Sequence, residues 1–161
     1  MQKTIIHAPM MQLVGITCRT SNALEMDVGT AQIGATLGRY MGEMAAKLKN
    51  RKRPGITYVV YHEYESDIHG PYTYFIGEEV TDTSELAPGL ISLVVPAQKY
   101  VRFTTNPGQM PQVCINAWQE IWKMTDEDFG SSRAYIADLE LYDERSADPQ
   151  NTVMDICIGV K

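Results

Sequence analysis

The chain has 161 residues, 44% hydrophobic and 21% charged, which is enough apolar material for one core of ordinary size. A formal charge of -6 argues against unaided nucleic-acid binding, which needs a basic surface to displace counterions; it is compatible with attracting cationic small molecules. The three cysteines, Cys18, Cys114 and Cys157, are odd in number, widely spaced and form no Cys-x-x-Cys pair, so neither a disulfide framework nor a structural zinc site is expected.

Residues 1–10 lack the basic start and long apolar run of a signal peptide, and no stretch approaches the roughly 20 apolar residues of a membrane span. A cytoplasmic protein is expected. Residues 11–18 alternate as a strand. Residues 30–49 follow a helical pattern, with Ile33, Leu37, Met41, Met44 and Leu48 as one buried stripe and Asp27 or Thr30 as a cap. Gly34, Gly38 and Gly42 weaken that helix by roughly 1 kcal/mol each, unless their spacing serves close contact with a sheet. Pro54-Gly55 is a break. Strands are expected at 56–65 and 72–80, with a turn at 67–71.

After a linker at 81–88 the same order returns. Residues 90–95 and 99–104 are strand-like, with Pro96 between them. A helix is predicted over 111–124, with Val113, Cys114, Ala117, Trp118, Ile121 and Trp122 on a broad apolar face. Strands follow at 135–142 and 153–160, separated by a polar loop containing Pro149. Phe75-Ile76-Gly77 in the first unit resembles Cys157-Ile158-Gly159 in the second, and matching Tyr64 with Tyr142 sets His62 opposite Glu140. The expected fold is therefore α+β: one domain over 1–161, built from duplicated β-α-β-β units (about 4–80 and 89–161). The units would join in an antiparallel sheet around a pseudo-twofold axis, with two main helices and a central cleft at the seam.

Asp138-Leu139-Glu140-Leu141-Tyr142 carries the most chemistry. Strand alternation sends Leu139 and Leu141 to one face and Asp138, Glu140 and Tyr142 to the other. A charge facing an aromatic concavity needs a partner, and a ligand can bring one. The bland reading of Glu140 is a solvated carboxylate or one paired with Arg102. The helical pair Trp118 and Trp122 and the strand pair Tyr72 and Tyr74 are each readable as ordinary packing. His62, Glu63, Glu65 and His69 have no recognised ligand spacing, so no metal site is expected. Neither a phosphate loop nor a nucleophile elbow occurs.

The order of elements, the helix Trp118-Gln119-Glu120-Ile121-Trp122 and the strand Leu139-Glu140-Leu141-Tyr142 together resemble the GyrI-like effector-binding domains over about 4–161, in particular their stand-alone branch carried on integron gene cassettes. In that family such domains form the ligand-binding halves of bacterial regulators related to the AraC and MerR types. The resemblance implies a cleft at the pseudo-dyad, where Glu140 meets the positive charge of lipophilic drugs and Trp118, Trp122, Tyr72, Tyr74, Tyr100 and Tyr142 are candidate wall residues. It implies no cofactor. The expected partners are lipophilic cationic small molecules, and a DNA-binding regulator through which the chain would signal, with no direct nucleic-acid or membrane contact. Sensing or sequestration is the leading function. A small-molecule hydrolase using Glu140, or a gyrase-interacting module using acidic residues such as Glu78, Glu79 and Asp82, are the alternatives. Met26, Met41 and Met110 are candidates for adaptable filling of a binding site.

Overall fold

Eight strands pair into one antiparallel sheet in the computed structural model, which describes residues 1–161. They are β1 (Gln2–Ala8), β2 (Met11–Thr20), β3 (Thr57–His62), β4 (Tyr72–Glu79), β5 (Ile91–Val95), β6 (Gln98–Thr104), β7 (Ala137–Tyr142) and β8 (Asp155–Val160). The helices are α1 (Asn22–Glu25), α2 (Ile33–Arg39), α3 (Gln112–Ile121) and α4 (Asp126–Phe129). The strand order is β1-β6-β8-β7-β3-β4-β2-β5. Outward from the central β3–β7 pair, the sequence β3, β4, β2 on one side repeats as β7, β8, β6 on the other. The duplicated β-α-β-β unit and its pseudo-twofold arrangement are thus present.

The outer strands are exchanged between the halves. β1 pairs with β6 of the second unit, and β5 pairs with β2 of the first. The register Gln2↔Thr104 to Ala8↔Gln98 resumes beyond the breaks as Met11↔Val95 to Gly15↔Ile91. Two long strands, each interrupted at a proline (Pro9 and Pro96), therefore run through both halves. Proline has no N–H to give to a ladder, which places the interruption there. β1 has no counterpart among the strands expected from the sequence.

Three clusters of buried apolar side chains follow from this topology. One lies between the two sheet halves and contains Leu13, Tyr58, Val60, Phe75, Tyr100 and Leu139. The other two lie under the helices. In the first unit Tyr40, Met44 and Leu48 pack on Ile16, Val59 and Ile76; in the second Ala117, Trp118 and Ile121 pack on Phe103, Ile156 and Ile158. Gly15 and Gly77 face each other across β2 and β4, where a Cβ on either would collide with the opposite backbone carbonyl.

The first-unit helix departs from the sequence pattern. It starts at Ile33 and carries no side-chain cap from Asp27 or Thr30. Instead the Glu25 carboxylate accepts the backbone N–H groups of Gln32 and Ile33, each at 2.9 Å, and so satisfies two amides at a helix N-terminus. The helix then widens into a π-turn over Tyr40–Met44 and tightens over Ala45–Lys47. Gly34, Gly38 and Gly42 face open space, with no sheet against them. Leu37 and Met41, expected in the core, are 40% and 62% exposed, because the buried stripe runs through Tyr40, Met44 and Leu48.

Candidate functional site

α2 and α3 lie on the same face of the sheet, one from each unit, and leave a gap over the β3–β7 seam. The gap is a cavity of about 310 Å³. α2 contributes Ile33 and Leu37, α3 contributes Cys114, Ile115 and Trp118 with Trp122 at its C-terminal cap, and the floor is formed by tyrosines of β3 and β4 with Glu140 and Tyr142 of β7. The apolar residues that α2 withholds from the core therefore supply a wall of the cleft.

Glu140 pairs with Val59 across the seam and is 3% exposed. Oε1 accepts hydrogen bonds from Trp118 Nε1 at 2.7 Å, Tyr61 Oη at 2.8 Å and Cys114 Sγ at 3.6 Å; Oε2 accepts one from Tyr142 Oη at 2.6 Å. All four donors are neutral. Burial, followed by the Glu140 charge, pushes the Tyr61 and Tyr142 phenols well above their ordinary range, and the same two causes raise the Cys114 thiol. These groups consequently stay protonated and keep donating. Hydrogen bonds to a charged acceptor contribute about 1.5–3 kcal/mol each, which makes the carboxylate tolerable without cancelling its charge.

Aromatic rings surround this group. Tyr61 meets Trp118, Tyr72 and Tyr74 edge-on, at centroid distances of 5.2, 5.4 and 5.7 Å, and Trp122 leans on Trp118 at 6.2 Å. Trp118 is buried and Trp122 is partly exposed at the rim. Two other charged side chains line the cavity, and both are engaged. Glu25 caps α2. Arg133 donates to Asp138 Oδ2 at 2.6 Å and stacks on the Tyr135 ring at 4.5 Å. Asp138, fully buried, also accepts from Tyr64 Oη at 2.5 Å and from Gly159 N at 2.8 Å.

Of the side chains singled out from the sequence, Glu140, Trp118, Trp122, Tyr142, Tyr72 and Tyr74 all line the cavity. Tyr100 does not. Val101 and Phe103 of β6 point toward α3, so alternation turns Tyr100 to the other face, into the core between the sheet halves, where it is fully buried. Arg102 shares that other face and is no partner for Glu140. Matching the tyrosines of the two units set His62 as the counterpart of Glu140, but His62 lies on the opposite face of the sheet from Glu140, so the two are not equivalent positions. Tyr61, Cys114 and Arg133 escaped the sequence reading. Cys114 was visible on the α3 apolar face beside Trp118, whereas Tyr61 required the β3–β7 register. Met110 lines the cleft, Met41 lines an adjoining hollow of about 540 Å³, and Met26 is exposed away from both.

Comparison with known proteins agrees with this architecture. Residues 4–160 match the family described as integron-associated effector binding protein. The chain is 29% identical over 159 residues to the putative transcriptional regulator protein YobU of Bacillus subtilis, an alignment covering 98% of this chain and 96% of that protein. A cassette protein from the mobile metagenome of Vibrio cholerae superposes with a TM-score of 0.79 at 30% identity, covering 99% of this chain and 95% of the other. SAV2435, solved with bound tetraphenylphosphonium, shares the fold at a TM-score of 0.75 and 18% identity, covering 100% and 94%. The duplicated sheet, the cleft at its seam and a match spanning nearly every residue place this chain in the integron-associated effector-binding family.

Proposed function

We propose that this protein binds hydrophobic organic cations in the cleft between α2 and α3, with Glu140 as the counter-charge. The observation that carries the reading is the state of that side chain: a carboxylate 3% exposed, held only by neutral donors, inside an aromatic cavity. A buried ion without a partner costs several kcal/mol, and a ligand that supplies the opposite charge recovers part of it. The rings add about 0.5–2 kcal/mol for a cation over their faces. With apolar burial, affinity in the micromolar range, about -8 kcal/mol, is expected. That SAV2435 binds tetraphenylphosphonium within the same fold supports this ligand class.

The test is titration with tetraphenylphosphonium, followed by quenching of Trp118 and Trp122, in the wild type and Glu140→Gln. Triphenylphosphine oxide serves as a neutral control of related shape. The wild type should prefer the cation, and the substitution should weaken cation binding about 30-fold without weakening that of the neutral compound. Equal cation affinity in the two proteins would remove Glu140 from the account. The biological role in this reading is sensing or sequestration of such compounds in the cytoplasm, where the three unpaired cysteines would stay reduced. Sensing would pass through a DNA-binding regulator partner, in keeping with the similarity to YobU. Hydrolysis by Glu140 is served less well, because Tyr61, Tyr142 and Cys114 beside it are kept protonated by burial and by its charge, so none of them offers the nucleophile or second base such a reaction would use.

A further inference from the structure

Two carboxylates, Asp138 and Glu140, stand two residues apart on the same face of β7, and one arginine lines the cavity beside them. Arg133 sits on the Asp138 side, its side chain 8% exposed, with one guanidinium nitrogen 2.6 Å from Asp138 Oδ2 and its Nε buried without any acceptor. Asp138 is held in place independently, by the amide of Gly159 and the phenol of Tyr64. We propose that Asp138 acts as a latch: by holding Arg133 it prevents this arginine from becoming the internal counter-ion of Glu140, and so keeps the cation site vacant for a ligand. Asp138 and Arg133 are thereby positioning residues: Arg133 borders the cavity, but neither supplies the charge that meets the ligand. This inference builds on the cation-binding reading above.

A guanidinium does not lose its proton in a protein, so Arg133 released inside the fold must find another anion or reach water. Of the other carboxylates lining its cavity, Glu25 also has neutral donors, but it is only half-buried and accepts two amides at the start of α2, where the partial positive charge of the helix end favours it as it stands. Glu140 has only neutral donors. On the outer side, Arg133 also borders a smaller hollow that contains Asp126, whose Oδ2 accepts from Ser132. Glu140 is the buried site, where opposite charges attract more strongly than at the rim. An arginine tethered to the chain also competes at a high effective concentration, so a free cation would be displaced efficiently. An unlatched Arg133 would thus act as a built-in inhibitor.

The experiment compares the wild type, Asp138→Asn, and Asp138→Asn combined with Arg133→Met. Each is titrated with tetraphenylphosphonium by calorimetry, and the crystal structure of Asp138→Asn is determined without ligand. The expected results are an affinity loss of about tenfold or more in the single variant, recovery to near the wild-type value in the double variant, and the Arg133 guanidinium paired with Glu140 in the crystal. Unchanged affinity in Asp138→Asn overturns the proposal, as does finding Arg133 at Asp126 or in solvent. A loss that persists in the double variant overturns it too, because Asp138 would then contribute something other than restraint. Where the single variant is too unstable to purify, the double variant still tests the restraint, because a loss of affinity there overturns it. If the wild type itself fails to bind the cation, the functional reading falls, while the position of Arg133 in the crystal still tests the latch.

Discussion

Asp138 and Glu140 make a controlled comparison within one strand. Both are buried, both face the helices, and both accept a tyrosine hydroxyl. Asp138 also has a guanidinium and a backbone amide, so its charge is neutralised where it stands. Glu140 has an indole, two phenols and a thiol, so its charge is solvated but not neutralised. The first arrangement is complete in itself. In the proposed reading the second is completed by something positive entering the cleft. Burial alone therefore does not distinguish the two carboxylates; the charge of their partners does.

The largest effect that would break this comparison is on stability. Asp138→Ala leaves Arg133 buried without its anion and is expected to lower the unfolding free energy by about 3–5 kcal/mol in urea melts. Glu140→Gln removes an uncompensated charge and is expected to leave stability unchanged or higher, even as it weakens cation binding. Equal destabilisation by the two would mean that both carboxylates are structural. A smaller effect sharpens the Glu140 side. Tyr142→Phe deprives Oε2 of its donor and should cost about 1–3 kcal/mol of stability while cation affinity is retained. A fall in affinity as large as that of Glu140→Gln would show that the ligand's charge rests on the phenol.

The smallest effect concerns pH and sets the background for experiments on either carboxylate. His62 lies on the other face of the same strand pair, its Nε2 buried without a partner. Burial lowers its pKa below the ordinary 6.5, with Glu63 opposing that shift and Arg19 adding to it. The unfolded chain therefore takes up the proton first. The contribution to stability is full above about 6.5 and is lost as pH falls through the lower folded value. His62→Asn should flatten the decline in urea midpoint between pH 7 and pH 5; an unaltered slope would assign that decline to other groups.

Local pattern and composition were enough to read the repeated order of strand, helix and two strands from the sequence, because alternation and 3.6-residue periodicity are written in neighbouring residues. Glu140 and its faces on β7 were readable for the same reason, although its link to cations came through family resemblance. What the sequence left open depended on which strand lies beside which. Tyr61 reaches Glu140 only through the β3–β7 register, Tyr100 leaves the cleft because of the face β6 turns to α3, and β1 is a strand only because β6 of the other unit pairs with it. Leu37 and Met41 matched a buried stripe until packing assigned that stripe to Tyr40, Met44 and Leu48. That Arg133 pairs with Asp138 was likewise a matter of three-dimensional placement, since the backbone of Arg133 is set by its bridge to Val160 of β8, a long-range pairing that no local pattern announces.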